Sequence, residues 1–197
     1  MLELNVFYQS NYSRVQLLMR TFLGLFYIII PHLFVLFFFL IWSKLLWIYS
    51  VFHVLITGKL PESVHAFQLG FLRWAARLHC SVYNLVDEYP TFGINGVSES
   101  VQLDINWNQN PDRLTTLIRF ALVPIIVLPH LIVWSFRNLI SSILTFLSFW
   151  VVLFTGKYPI IWHEFNVGTL RWMIRVYAYM YLLIDKYPPF SGSKIEY

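Results

Sequence analysis

Arginine inside an apolar helix is the feature of this chain that most needs a chemical explanation. Gly70, Arg73, Arg77, Ser81 and Asn84 recur at three-and-four spacing, which puts them along one helix face. The pattern returns 98 residues later as Gly168, Arg171, Arg175 and Tyr179. If these helices cross a bilayer, each arginine sits near its middle, at a cost of at least ~2.5 kcal/mol unless it is paired, wet or snorkelling. Two chemistries fit. Arg73, Arg77, Arg171 and Arg175 could hold an anion or a lipid headgroup between the two segments, through charge-assisted and bidentate contacts. Alternatively the helices lie tilted or shallow, and the guanidiniums snorkel beside Trp74 and Trp172. Carboxylates near the stripe are few: Glu62, Glu164, Asp87 and Asp185, all near helix ends. Under the first chemistry, a bound phosphate or water is then the acceptor.

The other reactive side chains give weaker patterns. His32 and His130, and His65 and His163, are matched 98 residues apart, whereas His53 and His79 are not. A matched pair could ligate a metal across a twofold axis, but no His-Glu-x-x-His pattern accompanies it, and a histidine after proline at a helix start more simply serves nearby backbone. Asp87 and Asp185, just before Tyr-Pro, could be general bases or could close an ion pair. Lys44 and Arg137 sit in long apolar segments at non-equivalent positions, so they belong to no repeated site. Glycine-rich phosphate loops, Gly-x-Ser-x-Gly and Cys-x-x-Cys are lacking. The lone Cys80 forbids an intrachain disulfide and a cysteine-rich metal site. We therefore assign no catalytic residue, no metal site and no cofactor.

The elements that must position these residues are written twice. Between Pro31 and Phe92, 27 of 62 positions are identical to those 98 residues on, including Pro31-His32-Leu33, Thr57-Gly58-Lys59, Leu72-Arg73-Trp74 and Tyr89-Pro90. That is far more than shared hydrophobicity gives. The chain divides into a first repeat, 1–94, and a second, 95–197. With 58% apolar and only 12% charged residues, against ~25% in soluble domains, its solvent is a bilayer. The net charge of +4 is not gathered into a run, which argues against nucleic acid and for anionic headgroups. No cleavable leader is visible in Met1-Leu2-Glu3-Leu4-Asn5.

Each repeat opens on strict alternation, Leu2 to Tyr8 and Val101 to Trp107, a half-buried strand. These two strands pair most simply with each other or with a partner chain; paired with each other they should run antiparallel, their apolar rows facing the elbow helices and Glu3 and Asp104 facing water. Their offset is 99, so one residue is lost before the prolines. From Thr21 to Thr57 the single charge is Lys44; a straight helix of that length would run roughly 55 Å, nearly twice a ~30 Å hydrocarbon core. It should break at Pro31, and its copy at Pro129. Arg14–Ile30 and Arg113–Leu128 are then interfacial elbow helices, Leu33–Ile56 and Leu131–Phe154 spanning ones. Glycine and proline in the Thr-Gly-Lys turns end one helix and open the next, about 62–86 and 160–184. The fold class is an all-α membrane protein with a small β element: two tandem repeats, each a short strand, an interfacial elbow helix and a two-helix transmembrane hairpin.

Thr155-Gly156-Lys157-Tyr158-Pro159, Gly168-x-Leu170-Arg171-Trp172 and Asp185-x-Tyr187-Pro188-Pro189-Phe190 resemble a prokaryotic membrane family, domain of unknown function 4389, whose hallmark is Thr-Gly-Arg-Tyr-Pro. The resemblance covers nearly the whole chain as two tandem copies, with lysine for the motif's arginine in both and Leu60 for its tyrosine in the first. It implies a bacterial inner-membrane protein and supplies no activity. Lysines and arginines flank the termini and linker, so both hairpins should share one orientation with both termini cytoplasmic. Two functions follow: a non-enzymatic accessory or scaffold subunit of a larger membrane complex, partnered by other membrane subunits or by itself, or a lipid- or small-anion-binding or transport protein that uses the arginine stripes and holds a phospholipid. A lipid-modifying enzyme is a more distant third.

Overall fold

The structure, a computed structural model, describes residues 2–194. It is mostly helical, with a two-stranded sheet and two long apolar helices. In chain order, β1 is Leu2–Val6, α1 Arg14–Gly24, a π-helical turn Leu25–Ile29, α2 Ile30–Thr57, α3 Glu62–Val82, β2 Val101–Ile105, α4 Arg113–Thr155 and α5 Ile160–Met180.

The strands pair antiparallel as the alternation predicts, with Leu4 opposite Leu103 and Glu3 opposite Asp104. Leu2, Leu4, Val101, Leu103 and Ile105 are buried. Their row lies on α3 and α5, not on the helices after the strands. The reason is in the arginines, whose acceptors include strand carbonyls.

Local signals set the helix ends. Ser13 and Asp112 cap α1 and α4 by accepting from the backbone N–H groups of Gln16 and Thr115. Gly58 and Gly156 close α2 and α4 with φ of 77° and 72°, which a residue with a Cβ adopts only under strain. The breaks fall upstream of where Pro31 and Pro129 place them. The first is the π-turn at Leu25–Ile29; the second is Leu122 (φ −113°, ψ 16°), two residues before Pro124. A proline removes the hydrogen bond to the carbonyl four residues back and clashes with it, so the distortion lies on its N-terminal side. The π-turn also absorbs a residue: eleven steps separate Arg20 from Pro31, but ten separate Arg119 from Pro129. Carbonyls beside these breaks find new donors. Tyr89 Oη donates to the Tyr27 carbonyl (3.1 Å) and Tyr187 Oη to that of Ile126 (3.4 Å).

The central helices α3 and α5 run antiparallel. The end of α3 lies beside the turn before α5, where the Tyr12 backbone N–H donates to the Gly156 carbonyl and its hydroxyl to that of Leu85. The turn before α3 lies beside the end of α5, where Leu60 N–H donates to Gln109 O and Asn108 to Asp185. This arrangement corrects the expectation of two hairpins in one orientation, because the turns stand at opposite ends of the central pair. α2 packs on α3 through Ser43–Gln68 (2.6 Å) and Phe39–Trp74, and α4 on α5 through Ser141–Asn166 (2.5 Å) and Trp134–Thr169. Arg14 ties α1 to the last carbonyls of α4, and Arg113 ties α4 to that of Ile56 in α2. The long helices thus wrap the central pair, while the sheet and the loops around 91–96 and 190–193 cover the arginine side.

α3 and α5 end near Val82 and Met180, and neither is among the helices long and apolar enough to cross a membrane. The candidates are the continuous stretches Arg14–Thr57 and Arg113–Thr155, whose most apolar windows are only 22% and 17% buried. A core helix of a soluble domain would be mostly buried; these present Phe34, Phe37, Phe38, Phe136, Phe146 and Phe154 outward.

Candidate functional site

The stripe is built as the spacing predicts, and the structure supplies its acceptors. Halfway along α3, Arg73 donates through Nε to the Leu103 carbonyl (2.7 Å) and pairs through Nη2 with the Asp104 carboxylate, whose side chain is 73% exposed. One turn on, Arg77 is buried and donates to the carbonyls of Gly93 (2.7 Å) and Thr91 (3.3 Å). On α5, Arg171 reaches Gly192 O (2.8 Å) and, across to β1, Leu4 O (3.2 Å). Arg175 reaches Ser193 O (2.9 Å) and Ser191 O (3.3 Å). Three of these four side chains lie in residues less than 9% exposed, where an unpaired charge would be prohibitive. Carbonyl oxygens of the strands and loops therefore stand where a phosphate or water was the sequence's expectation. Stripe and loops are one structure.

The two glycines of the stripe explain how the loops come so close. A Cβ at Gly70 would lie 2.8 Å from the Ile94 carbonyl oxygen, and one at Gly168 3.0 Å from that of Gly192. Only hydrogen fits at these crossings.

A second pair of arginines, noted in the sequence only as flanking charges, is also buried. Arg20 pairs with Asp87 (2.9 Å) and donates to the Val86 carbonyl. Arg119 pairs with Asp185 (3.0 Å), donates to the carbonyls of Tyr179, Ile184 and Asp185, and lies 3.9 Å from the Tyr179 ring. The signal was available: each arginine lies two turns into the helix that follows a strand, and each aspartate stands shortly before the same Tyr-Pro. Asp87 and Asp185 each close an ion pair, one of the two roles their positions before Tyr-Pro suggested.

The matched histidines are acceptors in a second repeated contact. Trp74 Nε1 donates to His32 Nδ1 (2.9 Å) and Trp172 Nε1 to His130 Nδ1 (3.0 Å), while Phe92 and Phe190 stack on the two imidazoles. His65 and His163 are buried apart from these, and no group of three or more metal-binding side chains occurs among the described residues. In the loop after α3, Glu88 accepts from Ser98 Oγ (2.8 Å) and the Ser100 N–H (3.0 Å). Burial raises its pKa, but these hydrogen bonds outweigh it and hold the carboxyl below its ordinary range.

Two cavities flank this framework. One, of about 800 Å³, lies between β1, the start of α5 and the segment 191–194, and is bordered by Arg137, Arg171, His163, Glu164 and Lys194. There Arg137 donates to Thr169 Oγ1 (3.0 Å) and lies over the Phe165 ring. The other, of about 480 Å³, lies between α1, the π-turn, the end of α3 and the second half of α4.

Residues 113–192, which comprise α4, α5 and the loop that closes on Arg171 and Arg175, match the family described as Domain of unknown function (DUF4389). No curated protein and no solved structure matches the chain.

Proposed function

We propose that this chain, which carries a DUF4389 domain over residues 113–192, is a non-enzymatic integral protein of a bacterial inner membrane, an accessory or scaffold subunit of a larger membrane complex, built from two tandem repeats. The observation that carries this reading is the contrast between its surfaces. The long helices expose apolar side chains along most of their length, whereas the buried arginines already donate to the protein's own carbonyls. Such a molecule offers a bilayer a large face and a substrate very little chemistry.

The same geometry bears on how it sits. α3 is 21 residues long, about 31 Å, so its length alone would permit a crossing. Yet the exposed Arg73–Asp104 pair and a two-stranded sheet lie halfway along it. A crossing would put a charged pair and strand edges in the hydrocarbon centre, where nothing satisfies them. We therefore read the chain as embedded in one leaflet through its long helices, with the sheet, loops and both termini at the cytoplasmic face, in place of the multi-pass arrangement its hydropathy suggests. Cysteines at Lys59 and Lys157, at opposite ends of the central pair, test this. Embedding in one leaflet makes both label from the cytoplasmic side, and crossing makes them label from opposite sides. Native mass spectrometry after gentle extraction tests the scaffold role, which stoichiometric membrane subunits support.

The lipid- or anion-binding alternative draws on the cavity of about 800 Å³ beside Arg137, Arg171 and Lys194. Under it, Arg171→Leu/Arg175→Leu loses co-purified phospholipid while remaining folded. Under the scaffold reading the same double variant loses stability, because Gly192, Ser191 and Ser193 lose their donors.

A further inference from the structure

The cavity of about 480 Å³ between α1 and α4 has an unusual floor. Ser81 is fully buried and Asn84 8% exposed, and Ser81 Oγ, Asn84 Oδ1 and Arg20 Nε, all in residues of the lining, are buried with no hydrogen-bond partner. Buried polar atoms are ordinarily paired, so three unpaired ones in the residues that line one cavity call for a ligand. The walls are apolar, and at the mouth Phe22, Phe146 and Trp150 are exposed on the faces of the long helices. The one charge in the lining, Arg20, is already neutralised by Asp87.

The positions 98 or 99 residues away show what a filled version looks like. Tyr179 and Leu182 stand for Ser81 and Asn84, Lys44 and Trp47 for Ser142 and Thr145, and Phe120 for Thr21. There Tyr179 lies against Arg119, Phe120 packs on Trp47 at 5.7 Å between ring centroids, and Lys44 lies over the rings of Trp47 and Tyr181. Each small polar residue that lines the first space has a large one as its counterpart. Asn84 and Leu182 share a left-handed backbone, with φ of 55° and 62°, so the difference lies in side chains and not in the path of the chain.

We propose that the cavity between α1 and α4 binds a neutral amphiphile of the bilayer, an alkyl chain ending in a hydroxyl. The hydroxyl donates to Asn84 Oδ1 and accepts from the Ser81 hydroxyl, and the chain lies along Ile28, Phe146 and Phe149 toward the lipid. An anionic headgroup is disfavoured, because no unneutralised cation lines the space. The proposal rests on the membrane reading above, since the mouth opens on the faces given there to lipid. A long-chain or isoprenoid alcohol and a diacylglycerol share this chemistry.

The test is photolabelling of the full chain in membranes with a diazirine-bearing hexadecanol, beside a diazirine-bearing hexadecane. Alcohol adducts should concentrate in 20–29 and 142–150. Asn84→Leu, which copies a leucine already accommodated at that backbone, should lower labelling by the alcohol about fivefold, as loss of a buried hydrogen bond implies, and leave the alkane unchanged. Ser81→Tyr/Thr145→Trp, which copies the filled counterpart, should abolish both. Competition by excess geranylgeraniol or dioleoylglycerol identifies the source, and failure of both to compete counts against the site. Equal labelling along the outer faces of α2 and α4, or labelling by the alcohol that Asn84→Leu leaves unchanged, overturns the proposal. Release of the wild-type chain by alkaline carbonate overturns the membrane reading instead. If the double variant does not fold, Asn84→Leu alone decides.

Discussion

Arg20 and Arg119 begin from the same circumstances and end in different ones. Each sits in the first helix after a strand, each is buried, and each pairs with an aspartate just before Tyr-Pro. Around Arg119, however, three carbonyls and the face of Tyr179 complete the environment, and Trp47 and Phe120 pack nearby. Around Arg20 there are the Val86 carbonyl, Asp87 and then an open space floored by Ser81 and Asn84. One framework is therefore used once as a packed joint and once as a joint with room in it. A buried ion pair tolerates either setting while both of its charges stay paired, so the pair fixes the fold and its neighbours are free to diverge.

The largest test of this contrast removes the carboxylates. Asp87→Ala leaves Arg20 buried with little else to hold it and should destabilise by about 3–5 kcal/mol. Asp185→Ala should cost distinctly less, since Arg119 keeps its carbonyls and the aspartate is already 40% exposed. Thermal unfolding of the two variants in detergent measures the gap, and equal losses would break the comparison. Next, Tyr179→Ser should open the second joint at a cost of about 2–4 kcal/mol for the lost ring. Trp74→Phe and Trp172→Phe should each cost about 1 kcal/mol, one buried hydrogen bond, and by the same amount, because the two Trp–His contacts match. The smallest effect concerns pH. Glu88, whose counterpart is Lys186, has a depressed folded pKa. Its contribution is therefore present above the unfolded carboxyl pKa and fades as pH falls through the folded one. Glu88→Gln should flatten the acid limb of the stability curve, read from thermal unfolding as a function of pH.

Much of this was legible before any coordinates. Alternation in Leu2–Tyr8 and Val101–Trp107 gave both strands and their pairing, and the slip of offset from 99 to 98 located a residue that the π-turn accommodates. The stripe of Arg73, Arg77, Arg171 and Arg175 was legible as a face. Its acceptors were not, because backbone carbonyls leave no mark in a sequence beyond the small residues that let loops approach, such as Gly70 and Gly168. Proline warned of breaks in the long helices, but Pro124 was the one beside the kink, and the hand of each break depends on local hydrogen bonding. The unlike joints were half visible. Ser81 and Asn84 continue one stripe and Tyr179 the other, but a difference in side-chain size says nothing of cavities until Trp47 and Phe120 are known to lie nearby.

The sheet has a consequence for how the chain is made. β1 leaves the ribosome before the strand it pairs with, which follows roughly a hundred residues later, a wait of about 5–20 s at ordinary rates of synthesis. Through that interval Leu2 and Leu4 have no row to join, and the Leu4 carbonyl waits longer still for Arg171. β1 is thus fastened only after α1, α2 and α3 have all been synthesised, and its bond to α5 closes last.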